Sequence, residues 1–210
     1  MFALIKREIL DHLVYFIGAA AFSALLIGVS LPAILRYDGR NPPMFPTAIG
    51  VSVAAIVIMC ICGMGAAQMY LDKTRRISAY ISTLPVSRNR ILIARIIAGV
   101  LAILILLVPL AVAAAILLRL LTPPIPMYPG IVLEIFTATF LLAFACYCIG
   151  LQSGWNSNAV TPSLGALGLT CIFAPLVFVK GFGLEIVVIL VLFIAASLIR
   201  TWYKFTTTSL

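Results

Sequence analysis

Two long apolar runs, residues 45–71 and 91–121, are separated by a single basic segment, residues 72–90. Runs of this length constrain the fold more than any other feature of the chain. An α-helix rises about 1.5 Å per residue, so roughly 20 apolar residues cross the ~30 Å hydrocarbon core of a bilayer. Backbone N–H and C=O groups in hydrocarbon must be paired within the protein, which favours helices for segments this apolar. The rest of the chain has the same character. It is 64% hydrophobic and 10% charged, whereas soluble domains are nearer about 45–50% apolar and about 25% charged. Its mean hydropathy is +1.23.

Marking the apolar runs over 210 residues predicts an all-α polytopic membrane protein. It has six transmembrane helices at about 13–35, 45–71, 91–121, 131–152, 160–179 and 184–202. No room is left for a soluble domain, so 1–210 reads as one transmembrane domain. Gly- and Pro-rich turns separate the spans, at Arg36–Pro43 and Thr122–Gly130. Pro109 lies near the middle of the third run, where a proline kinks a helix. The run after Lys6 and Arg7 is longer than the 7–15 residues or so of a signal-peptide core, and is expected to remain as the first span.

Residues 1–12 are amphipathic: Phe2, Ile5, Ile9 and Leu13 recur at helical spacing, with Lys6, Arg7, Glu8, Asp11 and His12 on the other side. This predicts an interfacial helix in the headgroup plane, or else the start of the first span, with His12 at the surface.

Charge sets the orientation. With the N-terminus inside, ten basic residues are cytosolic and four (Arg36, Arg40, Arg119, Lys180) lie outside. The positive-inside rule then predicts a multi-pass protein of the cytoplasmic membrane with both termini cytosolic. The net charge of +8 is spread over loop ends, so it does not point to nucleic acid.

The basic segment carries six of the fourteen Lys and Arg residues when counted from Lys73 to Arg95. Within it Ile77, Tyr80, Ile81 and Leu84 fall at i, i+3, i+4 and i+7, one apolar stripe on a short helix. Pro85 disfavours helical geometry at Leu84 and ends that helix, and Ser87 is placed to cap the next one from Arg88. Such a stripe either rests on lipid with its arginines at phosphates, or inserts into a groove on a soluble partner.

The run Ser82-Thr83-Leu84-Pro85-Val86-Ser87-Arg88, followed by Arg90, Ile91 and Arg95, resembles the cytosolic loop of ABC transporter permeases of the type-2 exporter family. The Lys6-Arg7-Glu8 helix and the six-span layout fit the same family. Thr74-Arg75-Arg76 stands where many members carry Glu-Gly. The resemblance implies a coupling helix between spans two and three that docks in a groove of a separate ATPase subunit. Ile77, Tyr80, Ile81, Leu84 and Pro85 would form the inserted part, and Arg75, Arg76, Arg88 and Arg90 the charged rim. Lys6, Arg7, Glu8 and Asp11 of the N-terminal helix would touch the same subunit. It further implies a second permease subunit, identical or a sister chain, and a hydrophobic or amphipathic substrate (a peptide, a lipid-like molecule or a drug). A haem-exporter-like permease shares the size and span count. A non-transporting scaffold that binds anionic lipid through the basic stripe is the reading from a different class.

No phosphate-binding G-x-x-x-x-G-K-[ST] run is present, so ATP and Mg are expected on the partner subunit rather than on this chain. The single histidine, His12, gives no metal cluster or catalytic triad, and the chain is expected to be non-catalytic. Cys60/Cys62 and Cys146/Cys148 are i, i+2 pairs that point to nearly opposite sides of a helix, and read as small apolar residues. Arg119, Glu134 and Glu185 lie near the outer boundary, as interfacial anchors, as an Arg119–Glu134 pair, or as an outer gate. Gln68, Gln152, Asn156, Asn158 and Thr161 collect near the inner boundary, where they either line a substrate path or cap helices. Gly63, Gly65, Ala66 and Ala67 of span two, with Gly165, Ala166 and Gly168 of span five, allow close packing within one subunit or across a dimer.

Overall fold

The computed structural model describes residues 2–35, 59–70, 88–121, 130–155 and 183–207, together with Gly168. All of the regular structure among them is helical. We label the helices α1 (Phe2–Asp11), α2 (Leu13–Leu35), α3 (residues 59–70), α4 (Arg88–Leu121), α5 (Ile131–Trp155) and α6 (Leu184–Thr207). The expected fifth span, 160–179, apart from Gly168, and the loop residues 71–87 lie outside the described residues, as does most of the second span.

Three of the helices are long and apolar enough to cross a membrane: Asn89–Ile116, Val132–Gly154 and Leu184–Thr207. The bent pair Leu4–Asp11 and Leu13–Gly28 makes a fourth when taken as one span. By helix length and hydropathy this is a multi-pass membrane protein. The spans tolerate threonine because each hydroxyl returns to a carbonyl one turn back. Thr137 donates to Leu133 O and Thr139 to Ile135 O, both at 2.7 Å, and Thr201 donates to Ser197 O at 2.8 Å. Pro109 sits within α4, which continues past it to Leu121.

α1 and α2 meet at 66°. The break falls at His12, whose carbonyl takes the Tyr15 N–H in a tight i→i+3 turn (2.9 Å) while its own N–H still donates to Glu8 O (3.2 Å). The inward face of α1 differs from the expected stripe. His12 is only 6% exposed, so it is not a surface residue, and Glu8 faces inward with it and Ile9. Leu13, expected on the apolar stripe, is exposed. A stripe of apolar residues does not register a charge on a neighbouring helix, and the buried Arg95 of α4 reverses the preference at Glu8.

α4 is the central element and packs against α1, α2, α5 and α6, while α5 also packs on α6. Phe16 meets Ala98 and Ala102, and Phe22 lies beside Leu106, so α2 and α4 run in the same direction. Arg95 and Gly99 meet Tyr147, and Asn89 meets Trp202, so α5 and α6 both run against α4. α5 and α6 are therefore parallel to each other. Ile149 packs beside Phe193, and Gln152 Nε2 donates to Ser197 O at 3.1 Å.

The C-terminal half of α5 is buried on every side. Ala145, Cys146, Tyr147, Cys148 and Leu151 have no exposed surface. Cys146 and Cys148, expected on nearly opposite sides of the helix, are both buried and join one apolar cluster with Ile186, Leu190 and Ile194 of α6. Two glycines, Gly150 and Gly154, open the α3 contact. A Cβ at 150 would run into the Cys62 carbonyl oxygen, and one at 154 would meet Ala66 O and, at 2.7 Å, Met69 Cβ. Gly65 approaches from the other side, where a Cβ would lie 2.6 Å from Tyr147 O. Small residues let the two backbones touch. Of the small residues expected on span two, Gly65 and Ala66 serve packing within the chain, whereas Gly63 has open space beside it. Val14, Leu133, Leu192 and Ile199 stand on the outside, the pattern of helices that face lipid.

Candidate functional site

Five described helices converge on Arg95, which lies about two turns into α4 and is 2% exposed. A buried arginine inside an apolar run is costly and needs partners. Its Nε lies 3.4 Å from Glu8 Oε1 of α1, whose side chain is 17% exposed. Its NH1 lies 3.3 Å from Met69 Sδ of α3. The Phe205 ring of α6 lies under the guanidinium, 5.8 Å from Cζ to the ring centroid. The backbone of Arg95 is also engaged, since the Tyr147 hydroxyl of α5 donates to its carbonyl at 2.9 Å. One residue of α4 thus holds α1, α3 and α6 through its side chain and α5 through its main chain.

Tyr147 reaches that carbonyl because position 99, one turn on, is glycine. A Cβ there would lie 2.6 Å from ring atoms of Tyr147. The same hydroxyl lies 2.6 Å from Gln68 Oε1. A phenol has one proton, so it cannot donate fully to both acceptors. Gln68 is 2% exposed and its Nε2 has no partner. Turning the amide end for end resolves the contact: Nε2 donates to the phenolic oxygen, and the phenol donates to Arg95 O. Phe136, Phe140, Phe144 and Tyr147 stack along one face of α5, with centroids 6.1–6.4 Å apart, and carry the tyrosine on an apolar ladder.

Glu8 has a second neighbour. Its Oε2 lies 3.7 Å from His12 Nε2, so the carboxylate is shared between the α4 arginine and the histidine at the α1–α2 break. Removing one member of a buried ion pair typically costs about 3–5 kcal/mol, because the other charge is left in low dielectric.

The expected site residues fall into separate places. Lys6, Arg7 and Asp11 are exposed on α1, with Arg7 and Asp11 paired at 3.5 Å, while Glu8 points into the protein. Arg88 and Arg90 lie in the first turn of α4, where Arg90 is exposed. Arg75, Arg76, Ile77, Tyr80, Ile81, Leu84 and Pro85 lie outside the described residues, as does Asn156. Gln68 and Gln152 share the Arg95 end of the bundle but have separate partners, Tyr147 for one and Ser197 for the other. Arg119, near the end of α4, and the exposed Glu134 and Glu185, in the first turns of α5 and α6, belong to the opposite end. Among the described residues no group of three or more His, Cys, Asp or Glu comes together to hold a metal ion.

Sequence reasoning missed Arg95 as a separate feature and missed Tyr147 altogether. Arg95 had a signal: it lies inside the third apolar run, and an intramembrane charge marks a site. Gly150-x-x-x-Gly154 also had one, in its small-residue spacing. Tyr147, a single hydroxyl in an aromatic stretch, had none. No protein-family model, no curated protein and no solved structure matches this chain.

Proposed function

We propose that this chain is the membrane-spanning permease subunit of an ATP-driven ABC exporter, with ATP hydrolysis on a separate subunit. One observation carries the reading. Every element assigned to the partner-facing side opens at the same end of the bundle. α1 starts there, helix 59–70 ends there on its way into the basic segment, α4 begins there on its way out, and α5 and α6 end there around Ser153 and Phe205. A soluble ATPase docking on residues 72–90 would therefore also meet α1, and any push on either would arrive beside Arg95. The excess of basic residues at this end assigns it to the cytosol.

The parallel course of α5 and α6 supports the six-span layout. The chain leaves α5 at one end of the bundle and enters α6 at the other, so it changes sides between Trp155 and Leu184. Two permease subunits, identical or paired with a sister chain, would assemble with two ATPase subunits. ATP-driven closure would then switch the spans from inward to outward access. With no sizeable outer loop, the fitting substrate is hydrophobic or amphipathic.

The test is Ile81→Asp with Leu84→Asp, expressed in the native host and purified in mild detergent. The wild-type chain should carry a near-stoichiometric ATPase, and the variant should insert normally but lose it. A wild-type chain recovered alone, in a preparation that preserves a known ABC complex and with binding to anionic liposomes, would favour the scaffold reading instead.

A further inference from the structure

We propose that Arg95 is a positioning residue that links α1 mechanically to α5, so that a displacement of α1 is passed to Tyr147 through the α4 turn between Arg95 and Gly99. The inference rests on the permease reading only for the identity of what moves α1. The linkage itself follows from the contacts. Glu8 holds the Arg95 side chain, and Tyr147 holds the Arg95 carbonyl, so the two neighbours pull on one residue from different sides. The Arg95 carbonyl already belongs to the helical ladder of α4, and a rotation or lift of this turn changes its distance to the phenol directly. Tyr147 has little freedom to absorb that change elsewhere. Its ring lies against Gly99 and stacks on Phe144, and it has no exposed surface.

The Glu8 contact is suited to being made and released. It is a single contact at 3.4 Å rather than a two-pronged one, and the carboxylate keeps His12 as a second neighbour. Glu8 is also the most exposed member of the set, since Arg95, His12 and Tyr147 are all buried. The most accessible bond of the cluster therefore lies between α1 and the spans. α1 hinges at the 66° break by His12, next to that bond. Packed interiors switch between discrete arrangements rather than deform continuously, so release at Glu8 should give a second state at Tyr147.

The experiment uses the full chain in nanodiscs with 3-fluorotyrosine at position 147, read by fluorine NMR, and amide hydrogen exchange over α1. The wild type should show one main resonance and protected α1 amides. Glu8→Gln should release α1, seen as lost protection, and should split the Tyr147 signal into two states. A uniform small shift of one sharp line is only the field of the removed charge, and that result would overturn the linkage. Unchanged α1 protection in Glu8→Gln would overturn it as well. Arg95→Lys, which keeps the charge, should protect α1 more than Arg95→Met does. Equal loss in the two would reduce Arg95 to a packing residue and sink the proposal. Should Glu8→Gln fail to fold, Glu8→Asp carries the same test by the same criteria. These readings need no ATPase, so failure to capture one would count against the permease reading and leave this result standing.

Discussion

The Tyr147 hydroxyl lies 2.9 Å from the carbonyl oxygen of Arg95, joining α5 to α4 where each carries its largest buried polar side chain. The bond bridges 52 residues of sequence, and glycine at position 99 is what makes room for it.

Tyr147→Phe should lower stability by about 1 kcal/mol, the usual scale of a polar contact between membrane helices. The cause is specific: Gln68 would lose the phenol as its partner while remaining buried. Thermal unfolding in detergent reads the loss. Adding Gln68→Leu to Tyr147→Phe should recover part of it, because both partners are then apolar. A double variant that is the sum of two losses would contradict the pairing.

Glycine substitutions should sort by what a new methyl group would meet. Gly150→Ala and Gly154→Ala push against the backbone of helix 59–70, which cannot swing aside, and each should cost about 1–3 kcal/mol by overpacking. Gly99→Ala should also destabilise, by displacing the Tyr147 ring. Gly18→Ala and Gly63→Ala meet nothing within 4 Å and should melt like the wild type. Thermal scans of the five variants side by side test the order.

Cysteine labelling should be uneven. Cys60 is exposed, whereas Cys62, Cys146 and Cys148 are buried. In a Cys171→Ser background, a membrane-permeant maleimide should modify Cys60 first, and the other three only after denaturation. Mass spectrometry of the labelled peptides gives the sequence of events. Early modification of Cys146 would mean that α5 is not enclosed as described.

Single cysteines at Lys6 and Tyr203 should react with an impermeant reagent from one side of the membrane, and those at Glu134 and Glu185 from the other. The first pair belongs to the Arg95 end of the bundle and the second to the far end. The positive-inside count predicts that the first side is the cytosol. Labelling of all four from one side would overturn the orientation of α5 and α6.

Much of the helix layout was legible from hydropathy. The first run was expected at 13–35 and is found as Leu13–Leu35. The helix that carries the third run begins at Arg88, as the Ser87 cap predicts, ahead of the apolar run itself, and the sixth extends to Thr207 instead of Trp202. The extensions are polar or basic turns that hydropathy excludes but that a helix carries beyond hydrocarbon at no cost to its ladder. The Arg95 cluster was illegible for a different reason. Glu8 and Arg95 are 87 positions apart, and Gln68 and Tyr147 are 79 apart. Their partnership depends on which helix faces meet, and uniformly apolar helices carry little facial pattern to predict it.

The sequence by itself determined that this chain crosses a membrane, where most of its described helices lie, and where the one dense basic segment sits. Those properties follow from local transfer free energy and run length. Only the tertiary structure decided that His12 is buried, that Glu8 turns inward, and that Arg95 touches four other helices. Those outcomes depend on a charge buried in the protein finding partners on whichever elements pack beside it, and no single helix contains that information.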